Sequence, residues 1–175
     1  LRYEIKTDPK IDFEKVELDP EPNVGKVKVG IIGAGNFAST TILPILKELR
    51  RDCQVLGIAS SGGLSSELLA RNFKIKNKYE TESEILEAEE IDAVFILTQH
   101  FSHAELVIKA IDAGKAVYVE KPLAIEASSI TDIEEAMYNA DNPKIFLGFN
   151  RRFAAATEFI KTKLNNSPAN SINFR

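Results

Sequence analysis

The chain has 175 residues, enough for one ordinary domain or one domain with tails. Its 44% hydrophobic and 27% charged residues are those of a globular protein, and a formal net charge of −4 gives no electrostatic reason for a nucleic-acid or anionic-membrane partner. No apolar run reaches the roughly 18 residues of a membrane-spanning helix, and the single cysteine, Cys53, allows neither an intrachain disulfide nor a cysteine-based metal site. A protein of the reducing cytoplasm is therefore expected.

The chain begins at Leu1 without a basic start or apolar stretch, so no signal peptide is expected, and the lack of a leading methionine suggests a segment of a longer chain. Residues 1–25 read as a linker or tail, because Pro9, Pro20 and Pro22 interrupt helix and sheet hydrogen bonding. Only a weakly patterned strand near residues 16–18 stands out there. From Val27 to Ile32 a β-rich run ends at a glycine cluster and predicts a buried parallel strand. Ile42, Ile45, Leu46 and Leu49 then share a helix face, and Pro44 is expected to kink that helix or relax its first turns. Residues 54–59 read as a strand and 65–72 as a helix. Thr81-Glu-Ser-Glu84 has the form of a capping box, in which Thr81 and Glu84 satisfy each other's free N–H groups, and it opens a short helix. Residues 92–97 form the next strand. Ala104, Val107, Ile108 and Ile111 repeat the helical spacing up to a stop at Gly114. A strand over 116–119, a helix over 126–139, a strand over 144–148, a helix over 152–165 and the start of a strand over 171–174 complete the pattern. Strands alternating with helices over residues 26–150 predict an α/β fold, a doubly wound parallel sheet of the dinucleotide-binding Rossmann type.

Gly33-Ala-Gly-Asn-Phe-Ala38 matches G-x-G-x-x-G/A directly between a strand and a helix. In such a turn Gly33 makes the bend, Gly35 lets a pyrophosphate approach the backbone, and a small Ala38 lets the helix pack on the strand. The helix N-terminus presents Asn36 and Phe37 with free N–H groups and the positive end of the helix dipole. The alternative is a glycine-rich turn without a ligand. An NAD enzyme usually ends its second strand in an acid that reads the ribose. Here Ala59-Ser60-Ser61-Gly62 stands instead, so NAD and NADP both stay open, with Ser60 and Ser61 leaning slightly to NADP.

Glu120-Lys121-Pro122 follows a buried strand, where ligands of open α/β sheets bind. Lys121 there can donate to a substrate hydroxyl or carbonyl and help move a proton during hydride transfer. Glu120 is expected either to ion-pair with it or to contact the nicotinamide ribose, and Pro122 to fix the backbone, with a cis bond open to it. The alternative is an exposed charged turn. The loop Thr98-Gln-His-Phe-Ser-His103 is read as cofactor-lining, with Thr98 and Gln99 near the nicotinamide ribose; His103 is equally well a structural residue at a helix start. Its two histidines lack a third ligand for a metal.

These segments, with residues 112–122 and Gly148-Phe-Asn-Arg-Arg-Phe153, resemble in order and spacing the glucose–fructose oxidoreductase / inositol dehydrogenase / rhizopine-catabolism family over residues 26–175. The resemblance implies an NAD(P)-dependent oxidoreductase acting on sugars, cyclitols or related hydroxyl compounds. Lys121 matches that family's catalytic lysine. Asn150, Arg151 and Arg152 fall in a segment lying between its two domains, where one arginine faces substrate or cofactor; a salt-bridge pair at a helix start is the plainer alternative. Residues 151–175 would begin a second, substrate-binding domain that covers the nicotinamide and supports homo-oligomers. That domain's Asp-x-x-x-His segment does not occur after Arg152, so the fragment is expected to bind dinucleotide but turn over poorly. A non-catalytic dinucleotide-binding sensor is the competing function.

Overall fold

The computed structural model describes residues 25–60 and 62–164. The strands expected near 16–18 and over 171–174, and Ser61, lie outside the described residues. Six strands form one sheet: β1 (Val27–Ile32), β2 (Cys53–Ala59), β3 (Asn77–Tyr79), β4 (Ala93–Ile96), β5 (Ala116–Glu120) and β6 (Ile145–Gly148). They lie in the order β3-β2-β1-β4-β5-β6 with every neighbouring pair parallel. The helices are α1 (Leu43–Glu48), α2 (Gly63–Asn72), α3 (Glu82–Glu87), α4 (His103–Asp112), α5 (Ala127–Asn139) and α6 (Ala155–Leu164).

Because successive strand residues point to opposite faces, the sheet builds two cores. Val29, Ile31, Val55 and Ile58 meet Leu43 and Leu46 of α1, Leu69 of α2 and Phe73 just after it on one side. On the other, Ile32, Val94, Ile96, Val117 and Val119 meet Ile85 of α3, Leu106 and Val107 of α4, and Ile133 of α5. The sheet is thus covered on both faces, as its continuous apolar strands require.

Pro44 acts as expected. The chain ahead of α1 widens into a π-helical turn, Ala38–Ile42, and the Leu43 N–H reaches back five residues to the Ala38 carbonyl. A regular turn would press the proline ring against the Thr40 carbonyl, and the wider turn relieves that contact. The capping box is shifted by one residue. Thr81 Oγ1 accepts from the Glu84 N–H (3.3 Å), but the Glu84 carboxylate accepts from the Glu80 N–H (3.0 Å) instead of that of Thr81. The helix expected from residue 152 begins later. Asn150–Phe153 is a 3₁₀ turn, extended Ala154 follows, and α6 starts at Ala155. Arg152 holds this turn against β6, with its guanidinium over the rings of Phe146 and Phe153 and Nη2 donating to the Leu147 carbonyl (3.3 Å).

Candidate functional site

The strand order reverses between β1 and β4, and open α/β sheets bind ligands outside the carboxyl ends of the strands at such a switch. The chain leaving β1 meets the chain leaving β4 there. Gly33 has φ +107°, and a Cβ on it would lie 2.7 Å from the Leu97 carbonyl carbon and 2.9 Å from the Thr98 nitrogen. Both the dihedral and the contact therefore demand glycine. The Gly33 N–H donates to the Ala59 carbonyl and the Leu97 N–H to the Ile32 carbonyl, each at 2.8 Å, so the ends of β1, β2 and β4 are locked together.

Gly35 is a different case. Its φ lies outside the left-handed region, and a Cβ on it would meet nothing within 4 Å. Internal packing does not ask for glycine here. The open space fits a group that approaches the backbone closely, as a pyrophosphate does. The Ser39 N–H closes on the Gly35 carbonyl (3.1 Å), and the N–H groups just before it have no intrahelical carbonyl to reach. Ser39 Oγ and Thr40 Oγ1 both donate to the Asn36 carbonyl (2.9 and 2.8 Å), which fixes the turn.

Two cavities meet at Leu97 and Thr98. The smaller, about 530 Å³, is lined by Gly33, Gly35, Ser60 and Gln99, and also by Ala34, Ser65, Glu82 and Ser102. The larger, about 800 Å³, is lined by Phe37, His100, His103, Glu120 and Lys121, and by Phe149, Asn150, Arg151 and Arg152 from the end of β6. Asn36, Ala38 and Pro122 line neither. Ala38 is fully buried and serves the close packing of the turn on the sheet. A third cavity, near Asp92, Lys115 and Lys144, opens at the amino ends of β4 and β5, and the Lys115 ammonium is taken there by the carbonyls of Ala88 and Ile91.

The loop after β4 is held from below. Thr98 Oγ1 and Ser102 Oγ are 2.7 Å apart, and Ser102 Oγ donates to the Gln99 carbonyl (2.9 Å). His103, fully buried at the start of α4, sets Nδ1 2.7 Å from the Pro122 carbonyl and Nε2 3.2 Å from the Thr98 carbonyl. Both ring nitrogens face acceptors, so the ring joins the loop after β4 to the segment after β5.

The two-residue period of β5 puts Tyr118 and Glu120 on one face. Tyr118 stacks between Phe95 and Phe146 and donates through its hydroxyl to Glu120 Oε1 at 2.6 Å. Asn150 Nδ2 donates to the same oxygen at 3.0 Å, and Glu120 Oε2 accepts from the Lys121 N–H at 3.4 Å. Burial, and then the bond to Glu120, push the Tyr118 phenol up to about 12. Gly148 makes room for the pair, because a Cβ there would lie 2.6 Å from Glu120 Oε1.

The expected ion pair between Glu120 and the Lys121 ammonium is thus not formed; the carboxylate is turned to Tyr118 and Asn150. Among the described residues the Lys121 ammonium has no hydrogen-bond or ion-pair partner, and it lines the larger cavity beside Arg151. The Lys121–Pro122 bond is cis. Of the arginines, Arg152 is committed to Leu147 and the two phenylalanine rings, whereas the Arg151 guanidinium has no such contact among the described residues. Sequence reasoning missed Tyr118 and Glu82. The alternation of β5 pointed to the first; nothing local pointed to the second.

Residues 27–148 match the model of an oxidoreductase family with an NAD-binding Rossmann fold. An inositol 2-dehydrogenase/D-chiro-inositol 3-dehydrogenase of Lacticaseibacillus casei is 29% identical over 140 residues, covering 79% of this chain and 40% of that protein. The solved scyllo-inositol dehydrogenase of Lactobacillus casei with bound NAD(H) and scyllo-inositol shares the fold with a TM-score of 0.72 at 24% identity, over 80% of this chain and 41% of that one. KijD10, a 3-ketoreductase of Actinomadura kijaniata solved with NADP, does so with a TM-score of 0.71 at 23% identity, over 82% and 45%. The chain spans about two fifths of the length of the curated relatives it matches.

Proposed function

The chain belongs to the glucose–fructose oxidoreductase / inositol dehydrogenase / rhizopine-catabolism family, and from that premise we propose that its crevice holds NAD or NADP and serves the oxidation or reduction of a sugar, cyclitol or related hydroxyl compound. One observation carries this reading: the cavity on the glycine turn and the cavity on Lys121 meet at Leu97 and Thr98. Gly35 would hold the pyrophosphate of a dinucleotide laid through that junction, and Lys121 would stand on the nicotinamide side. Once bound, the nicotinamide supplies the hydride chemistry.

The chain's own groups do the rest. Gly35 would let the pyrophosphate approach the backbone, and the N–H groups of the turn would donate to its oxygens. Thr98 and Gln99 line the path of the cofactor, and Glu120, immobilised by Tyr118 and Asn150, accepts from the Lys121 backbone N–H and so steadies that segment. The Lys121 ammonium, having no partner among the described residues, donates to the substrate oxygen and passes a proton to or from it. Arg151 binds substrate or cofactor from the side of β6. In this reading residues 26–150 are the dinucleotide-binding half of the site, and residues 151–175 lead into a second domain that completes the substrate pocket and supports self-association.

Titration of the chain with NAD, NADP and S-adenosylmethionine tests the cofactor class; binding of the last alone overturns it. In a longer chain carrying the second domain, Lys121→Ala should abolish most turnover and leave dinucleotide affinity intact. Equal loss of both assigns Lys121 a structural role.

A further inference from the structure

We infer that Glu82 selects between the two dinucleotides, its carboxylate accepting from the adenosine ribose hydroxyls and repelling a 2′-phosphate, so that the crevice takes NAD in preference to NADP. The inference rests on the reading of the crevice as a dinucleotide site. The end of β2 carries no acid: Ala59 is followed by Ser60. But β3 runs parallel beside β2 with Ala59 paired to Tyr79, so the chain leaving β3 emerges at the same edge of the sheet as the chain leaving β2. Three residues after Tyr79 α3 begins, and its first residue, Glu82, lines the smaller cavity together with Gly35, Ser60 and Ser65.

The neighbouring groups at the start of α3 are already used by the fold. Thr81 Oγ1 caps the Glu84 N–H, and the Glu84 carboxylate holds the Glu80 N–H. The Glu82 carboxylate has no hydrogen-bond or ion-pair partner among the described residues. Lys109, the cation that feels its charge, is itself paired with Glu105 at 2.6 Å. Among the described residues Glu82 is the one charged side chain in the lining of the smaller cavity; neither a lysine nor an arginine of these belongs to it, and Arg71, the first cation after Ser60 in the sequence, lies outside the lining. A phosphate monoester brings about −1.5 to −2 charges at neutral pH. Set beside Glu82 with no cation in the lining, it meets a like charge, whereas a ribose diol meets an acceptor. The alternative is that Glu82 only complements the dipole of α3, a role that acts on stability and not on the choice of ligand.

The test is calorimetric titration of the chain and of Glu82→Gln with NAD and with NADP, with thermal melting to confirm the fold of the variant. The wild type should bind NAD roughly tenfold or more tightly than NADP, and Glu82→Gln should narrow that ratio mainly by improving NADP. Glu82→Lys should reverse the preference. A wild-type preference for NADP, or a ratio that Glu82→Gln leaves unchanged, overturns the inference while the dinucleotide reading stands. A wild type that binds neither overturns both.

Discussion

A Cβ on Gly33 would lie 2.7 Å from the carbonyl carbon of Leu97, where the chains leaving β1 and β4 cross the mouth of the crevice. Gly35, two residues on, faces open space. The two glycines of one motif thus answer to different demands, one from the fold and one from a ligand. Gly33→Ala must both adopt a left-handed φ and push Leu97 away, and it should destabilise the chain by about 1–3 kcal/mol in chemical denaturation. Gly35→Ala should stay within about 0.5 kcal/mol of wild type and yet weaken dinucleotide binding at least roughly tenfold. If both variants lose stability alike, the open space over Gly35 is not reserved for a ligand.

His103 makes a second separable prediction. Its ring is fully buried and bridges the carbonyls of Pro122 and Thr98. His103→Phe keeps an aromatic ring in place and removes its N–H, leaving a carbonyl that it served unpaired at a cost of about 1–3 kcal/mol. The denaturation midpoint should fall accordingly. A midpoint unchanged from wild type would mean that neither contact restrains the loops.

Much of this architecture was legible in the sequence, and the exceptions have physical reasons. Five strands announce themselves by β-branched runs. β3 does not, because Asn-Lys-Tyr is too short and polar for a period to show; it is held by its pairing to Gly57–Ala59, and the missing side chain of Gly57 leaves room for the Tyr79 ring. The turn at Gly33 and the segment at Lys121 are contiguous in sequence, so their chemistry could be read directly. Glu82 could not be placed, since what brings it to Ser60 is the pairing of β2 with the unread β3. Of the two roles open to Glu120, the ion pair with Lys121 is not formed for a related reason: Asn150 reaches the carboxylate from the turn after β6, 30 residues away.

The Tyr118–Glu120 bond has a signature in alkali. A phenol raised from the ordinary 10 to about 12 keeps its proton longer in the folded chain than in the unfolded one. The stability this contributes is fully present below pH 10 and is lost as the pH rises through about 12, because the unfolded state then binds fewer protons than the native state. Following phenolate absorbance against pH, one of the four tyrosines should ionise near 12 in the wild type, and Tyr118→Phe should remove that step. Glu120→Gln should lower it, since the neighbouring carboxylate charge is among its causes. A late step that survives Tyr118→Phe belongs to another tyrosine and breaks the assignment.

Arg151 and Arg152 are adjacent in sequence but have different work to do. The Arg152 guanidinium lies 5.2 Å from the Phe146 ring centre and 5.0 Å from that of Phe153, and it also bonds the Leu147 carbonyl. Such contacts at a partly exposed site are worth about 0.5–1 kcal/mol per ring, so Arg152→Ala should lower stability by about 1–2 kcal/mol. Arg152→Lys should recover only part of it, because an ammonium lacks the planar stacking surface. Arg151 carries no such contact and lines the larger cavity. Arg151→Ala should therefore melt like wild type and bind the dinucleotide, or in a longer chain the substrate, less tightly. Melting curves and ligand titrations on the two alanine variants separate the roles, and a swap of the two phenotypes would assign the ligand contact to Arg152.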